Sequence, residues 1–317
     1  MNCKFCNGFS RKTNSFRLMG ILNSSTYQCD KCSSIFRYPN PSDSELFNYY
    51  SNRGDIRYES HVEEKMAKIQ SVCLHNFFKS INVPIKDIAY YEYGCGRGWL
   101  VNEMKKLGLK STGFDPDKKS IDWGRNNLKA NIFEGFLNFE TNSLKINDKN
   151  ILNVISLMHV LEHLSNPVEI IEKIKINFKE HYLYLEIPDG EFESEILKLD
   201  TIPVSSYGQH LSSFTEMGIK TLLNNSGYEI VYFEKSGNQD YFRSYKKVLT
   251  FWNLIEKKYK KWSEKEFSVR DVFFSGFIFS FKAFCIWLFT RFESIFLKKY
   301  NRTDFPVIRI ISKYNNK

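Results

Sequence analysis

The chain has 317 residues, 42% apolar and 26% charged, which supports a folded core and excludes a disordered chain, a collagen-like repeat or a disulfide-held miniature. Its length suits one α/β domain with appendages. The net charge of +9 is uneven: 12 basic and 5 acidic residues lie between Ser244 and Tyr300, so an anionic partner is sought near the C-terminal end.

No basic stretch followed by an apolar one opens the sequence, and the seven Cys are not spread as the pairs of a secreted framework. A cytoplasmic setting is expected. Residues 1–40 form a Cys-bearing unit in which Cys3-x2-Cys6 and Cys29-x2-Cys32 stand 22 residues apart. Two-residue spacing sets both sulfurs of each knuckle on one side of a tight turn, as tetrahedral zinc requires, and a β-hairpin fits the spacer. A structural Zn2+ with four ligands is expected; two disulfides are the alternative, unfavourable in a reducing compartment. Tyr38-Pro39-Asn40-Pro41 then marks a linker, and 41–84 carries apolar residues at helical spacing, among them Leu46, Tyr49, Tyr50, Met66, Ile69 and Phe77.

From residue 88 short apolar runs alternate with amphipathic stretches. Strands are expected at Ile88–Tyr93, Ser111–Phe114, Asn131–Phe133, Ile151–Leu157, Tyr182–Ile187 and Tyr228–Phe233. Helices are expected at Trp99–Leu107, Lys118–Leu128, Pro167–Phe178 and Thr215–Asn225, with Asn166-Pro167 as an N-cap and first-turn proline. This order reads as an α/β fold with a doubly wound parallel sheet.

The first of these strands runs into Gly94-Cys95-Gly96-Arg97-Gly98 and then a helix. Glycines at alternate positions let a ligand approach the backbone closely at a helix N-terminus. Glu92 stands two residues before Gly94, and Asp115 ends the next strand, where a carboxylate can accept ribose hydroxyls. The nicotinamide-binding pattern needs its third Gly one residue later.

This stretch resembles class I S-adenosylmethionine-dependent methyltransferases. Gly113-Phe114-Asp115-Pro116-Asp117, the run Leu157 to Leu164 with Asn166-Pro167-Val168, and Gln209-His210-Leu211 with Phe214-Thr215 resemble that family's later motifs, in order, over roughly residues 88–235. The resemblance implies a Rossmann-like seven-stranded sheet formed by 85–243 and 301–317, with the helices of 41–84 capping the cofactor site. It further implies that Glu92 holds the methionine amino end, Gly94 and Gly96 give backbone approach, Asp115 takes the ribose, and Phe136, Leu137 and Met158 complete the cofactor site. Gly98 serves either the ligand or close helix–strand packing.

In-line methyl transfer needs alignment and, for a hydroxyl or carbon acceptor, a base. The candidates are His210, His159 and Tyr207, with Glu162 and His163 beside them. His159, Glu162, His163 and His210 also resemble the Glu-x-x-Glu-His plus distant His of metal-binding methyltransferases but depart at the first ligand, and in members that need no metal Glu162 and His163 would cap a helix. Tyr207-Gly208-Gln209-His210 resembles the Tyr-x-Glu-His of sugar C-methyltransferases. Gln209 replaces the Glu, and a neutral amide is no base, so O-methylation by His210 is favoured; a satisfied core histidine is the plainer alternative.

An aromatic, basic insertion, 244–300, precedes a last strand at Pro306–Ile311, and ten of the 28 Phe fall between its Phe267 and Phe296. Asp271, Ser275, Lys282 and Glu293 fall on one stripe at 100° per residue, as in a helix lying in a membrane interface, with flanking lysines to meet anionic lipid. A homodimer contact and a membrane span are the alternatives. Similar Cys units precede methyltransferases of polysaccharide and deoxysugar pathways. The expectation is therefore a methyltransferase peripheral to the inner face of the cytoplasmic membrane, acting on a nucleotide- or lipid-linked sugar. An RNA methyltransferase is disfavoured because the charge sits among Phe-rich helices, and a non-catalytic scaffold because Glu92, the glycine turn and Asp115 are intact.

Overall fold

The computed structural model describes residues 1–18, 21–51, 60–135, 151–191, 210–236 and 306–315. Phe136, Leu137, Tyr207 and the whole 244–300 insertion, with its expected membrane and dimer contacts, lie outside them.

The N-terminal unit is a hairpin of β1 (Ser10–Leu18) and β2 (Leu22–Cys29) extended by β3 (Ile35–Tyr38). The linker region becomes two helices, α1 (Asp43–Ser51) and α2 (Ser60–Ser80). There follow β4 (Ile88–Tyr93), α3 (Trp99–Lys106), β5 (Lys110–Asp115), α4 (Lys118–Asn127), β6 (Ile132–Glu134), β7 (Leu152–Met158), α5 (Pro167–Asn177) and β8 (Glu180–Pro188). The chain closes with β9 (Ser212–Ser213), α6 (Glu216–Asn225), β10 (Glu229–Ser236) and β11 (Val307–Asn315).

Seven strands form one sheet in the order β10-β11-β8-β7-β4-β5-β6. β4 pairs parallel with β5 on one side and with β7 on the other, and β11 runs antiparallel to β8. The chain therefore winds outward in both directions from β4, so the carboxyl ends of β4 and β7 flank the crevice where ligands bind in such sheets.

Alternation along the strands fills both faces. Ile155 and Leu157 of β7 join the core containing α5 and α6, while Val154 and Met158 join the one containing α2 and α3. The former is continuous with the Cys unit, because Phe5 packs its ring 4.7 Å from Phe214. The expected Asn166 cap accepts from Glu169 N with Pro167 in the first turn, and Thr215 caps α6 by accepting from Gly218 N at 3.1 Å.

The sequence gives no sign of β9. It pairs antiparallel with β3, Ile35 opposite Ser213 and Phe36 opposite Ser212, so the Cys unit and the C-terminal half share a sheet. The junction is tight: a Cβ at Gly218 would overlap Ser34 Oγ. Gly218→Ala is expected to cost about 1–3 kcal/mol, the usual range for overpacking, and a thermal melt checks it. An unchanged Tm would mean that β3 is free to move away.

Candidate functional site

The turn after β4 needs left-handed backbone at three points, with φ of 76° at Gly94, 52° at Gly96 and 75° at Gly98. The three glycines have different surroundings. A Cβ at Gly96 would meet open space, whereas at Gly98 it would stand 2.9 Å from Ile132 Cγ2, which supports the packing reading there. At Gly94 it would overlap the Val160 side chain, so the 159–164 segment lies directly against the turn.

Asp115 folds back onto the same turn. Its Oδ2 accepts from Gly96 N and its Oδ1 from Asp117 N, both at 2.8 Å. Burial pushes its carboxyl up to about 6 against these donors. Glu92 is buried under the turn with the Tyr90 hydroxyl 3.4 Å away; burial raises it to about 8, and the nearby Asp115 charge adds to the rise. An acid so poorly solvated is ready to meet a cation. Arg97 locks the turn from outside, its guanidinium 4.9 Å from the Trp123 ring centre and 3.4 Å from Glu63 of α2. Met158 ends β7 and is buried.

Beyond β7 the chain makes a short 3-10 turn, Leu161–His163, so the histidines are not set on an α-helix. His159 takes a left-handed φ of 53°, rare for a side chain with a Cβ, and donates its backbone N–H to Glu186 O at 2.8 Å. Its ring lies between two buried carboxylates, Nδ1 at 3.5 Å from Glu162 Oε1 and Nε2 at 3.2 Å from Glu186 Oε1. Burial alone would lower its pKa, but the two carboxylates raise it to about 10. An imidazolium has no lone pair to accept a proton, so this geometry does not suit the expectation of His159 as a base.

Glu186 anchors the larger part of this network. Arg309 Nε from β11 donates to its Oε2 at 2.5 Å, and Gln70 Nε2 from α2 to its Oε1 at 2.6 Å. Arg309 also reaches Glu234 of β10 at 3.4 Å. Sequence reasoning passed over Glu186, Arg309 and Gln70. The available sign was a charge inside an apolar strand, Glu in Tyr-Leu-Glu-Ile-Pro and Arg in Val-Ile-Arg-Ile-Ile, since a buried charge needs a partner.

Glu162 is 1% exposed, and among the described residues neither carboxylate oxygen has a hydrogen-bond partner. Burial would raise its pKa, but the imidazoles of His159, His163 and His210 reverse that and hold it low. Glu162, His163 and His210 bring their potential ligand atoms within 4.8 Å of one another, and the two His rings stand edge to face at 4.9 Å. Three of the four residues expected around a second divalent metal thus come together, while the His159 ring lies between Glu162 and Glu186.

The four N-terminal sulfurs also converge. Cys3 and Cys32 Sγ lie 3.7 Å apart and Cys6 and Cys29 Sγ 3.5 Å, close to the roughly 3.8 Å edge of a tetrahedron with bonds of about 2.3 Å. Backbone N–H groups of Phe5, Lys31 and Cys32 point at these sulfurs, as thiolates require. The set fits a zinc ion, which would hold the knuckles together.

Among the described residues no helix is long and apolar enough to cross a membrane. A ubiquinone biosynthesis O-methyltransferase of Pelagibacter ubique is 29% identical over 129 residues, 40% of this chain and 48% of that protein, so the match spans about half the relative's length. Among solved structures, the plantazolicin methyltransferase BpumL in complex with SAH is 16% identical, covering 88% of this chain and 92% of its own at a TM-score of 0.44. The magnesium protoporphyrin IX methyltransferase ChlM of Synechocystis PCC 6803, with bound SAH, is 14% identical, covering 62% and 94% at 0.46. The profile of a methyltransferase-domain family matches residues 58–232, from the approach to α2 to the middle of β10. With more than half of its length matched and the glycine turn, Glu92 and Asp115 at the switch point of the sheet, the chain belongs to this methyltransferase-domain family.

Proposed function

We propose that the enzyme methylates a hydroxyl oxygen, with Glu92, Gly94, Gly96 and Asp115 holding S-adenosylmethionine and His210 acting as the base. The observation that carries this reading is the carboxylate of Glu162, buried without a hydrogen bond, beside His163 and His210 and next to the glycine turn. The acceptor oxygen attacks the methyl carbon, the carbon–sulfur electron pair leaves with sulfur to give S-adenosylhomocysteine, and the hydroxyl proton passes to His210. Glu162 then stabilises the imidazolium that forms, while the positive charge of His159 keeps Glu162 ionised. Were a divalent ion held there by Glu162, His163 and His210 instead, it would supply Lewis-acid polarisation of the acceptor oxygen, and His210 would be its ligand rather than the base.

The acceptor proposed is a sugar hydroxyl on a nucleotide- or lipid-linked saccharide, supported by the resemblance of the Cys unit to those of sugar-modifying methyltransferases. The O-methyltransferase from Pelagibacter supports oxygen as the methylated atom and suggests a hydroxyl on a quinone precursor as the second reading.

The test uses methyl-labelled S-adenosylmethionine with an extract of cells lacking the protein, followed by counting in nucleotide-sugar, lipid-linked saccharide, quinone-lipid and RNA fractions. Label in a saccharide fraction is expected. With that acceptor, His210→Gln should lower kcat on the order of 100-fold at unchanged cofactor affinity. Label in the quinone fraction moves the acceptor to the second reading, and label in RNA overturns both.

A further inference from the structure

The Cys unit grips both segments that carry the acceptor-side residues. On one side, Lys4 Nζ and Asn40 Nδ2 donate to Ser165 O at 3.2 and 2.8 Å, just beyond His163. On the other, Thr215 Oγ1 donates to the carbonyl of the zinc-knuckle residue Cys32 at 2.5 Å, and Thr215 N donates to Ser34 Oγ at 3.1 Å. Between these grips lies the two-residue strand β9, separated from His210 by Leu211 alone.

Arg37 of β3 is the centre of this junction. It is 3% exposed. Its backbone N–H donates to Leu211 O at 3.0 Å, its Nε to His210 O at 3.0 Å, and its Nη1 to Thr26 Oγ1 of β2 at 2.5 Å. From the opposite side Leu211 N donates to Glu162 O at 2.7 Å. The backbone of His210 and Leu211 is thus held between a guanidinium from the Cys unit and the carbonyl of Glu162. A planar guanidinium can serve Thr26 and His210 at once in fixed directions, which an ammonium on a flexible stem cannot.

We propose that Arg37 is a positioning residue for His210, and that zinc at the four cysteines, by holding β2 and β3 in place, sets where the His210 ring stands against His163 and Glu162. The importance of that position for catalysis rests on the reading of His210 as the base; the clamp itself does not. The Cys unit is then a wall of the acceptor side of the site. The hydrogen bonds that Asp115 accepts come from Gly96 N and Asp117 N, within the turn and its own strand end, so the cofactor side should not respond to it.

The experiment takes the full zinc-loaded chain, its Arg37→Met and Arg37→Lys variants, and the wild type stripped of zinc. It reads hydrogen exchange at the Leu211 amide, the NMR position of the His210 imidazole, zinc content and the Kd of S-adenosylmethionine. In Arg37→Met the Leu211 amide should exchange about tenfold faster or more, as expected when one or two buried hydrogen bonds are lost. The His210 resonance should move, while zinc content and cofactor Kd stay as in wild type. Stripping zinc should produce the same two changes. His181, held by Tyr228 Oη at 2.7 Å and Phe178 O at 2.8 Å, should not shift and serves as the internal control.

Arg37→Lys keeps the charge and most of the bulk and decides the matter if the Met variant does not fold. Exchange at Leu211 within about twofold of wild type, with His210 unmoved, in a zinc-loaded variant overturns the proposal. So does a cofactor Kd that worsens in parallel, because the disturbance is then global. A His210→Gln enzyme with full activity and an intact clamp signature removes the base assignment and leaves the clamp standing.

Discussion

Asp115→Ala is expected to weaken S-adenosylmethionine binding on the order of 100-fold or more, the effect of losing two charge-assisted hydrogen bonds to a ribose. The same carboxylate also accepts from Gly96 N and Asp117 N, so the variant loosens the turn as well as losing the ligand contact. Asp115→Asn keeps the shape and should lie between the two. Titration calorimetry reads this directly, and an Asp115→Ala Kd within about threefold of wild type would sink the ribose assignment.

The binding should also depend on pH in a stated direction. Glu92 is raised to about 8 by burial, helped by the charge of Asp115, so near neutrality the free protein carries it largely protonated. If it pairs with the methionine ammonium as proposed, it must release that proton. Affinity should therefore rise with pH, up to about tenfold per unit, and level off above about 8. Glu92→Gln should flatten the profile. The unliganded protein moves the other way: the unfolded chain gives up this proton near pH 4, so stability falls as pH rises from about 4 to about 8.

Glu186→Ala is expected to cost about 3–5 kcal/mol, because it leaves Arg309 and His159 as buried charges without their shared partner. A Tm lower by roughly 10 °C should result. Glu186 is buried, yet His159 and Arg309 bring its carboxyl down to about 2, while His159 is raised to about 10. The contribution of Glu186 is present above its unfolded value near 4 and is lost as pH falls toward 2. That of His159 is complete below about 6.5 and is lost as pH rises through 10. The gap between variant and wild type should thus be widest between about pH 4.5 and 6.5. A gap that is flat from pH 3 to 10 would mean that the pairing does not carry the energy.

The glycine turn with its two acids, proposed as the cofactor half of the site, was legible because it is local. The glycine turn, the acid two residues before it and the acid ending the next strand lie within 24 residues, and each sits where a strand end or helix start must fall. Strand and helix bounds shifted by a few residues at most, as with β8, which is longer at both ends than its apolar run. The acceptor half was less legible. No helical face groups His159, Glu162 and His163: the chain turns left-handed at His159 and makes a 3-10 turn, so their grouping comes from the carboxylates around them.

The sequence by itself determined the order of strands and helices, the cap at Asn166, the glycine turn and the four-thiol set, because each depends on periodicity or spacing over a few residues. Only the tertiary structure decided that the His159 ring lies between the carboxylates of Glu162 and Glu186, that Glu186 and Arg309 share one buried network, and that Arg37 holds the backbone of His210. Those facts join residues up to 173 positions apart. No local pattern encodes them, since charge states and buried pairs follow from which faces meet once the sheet has closed.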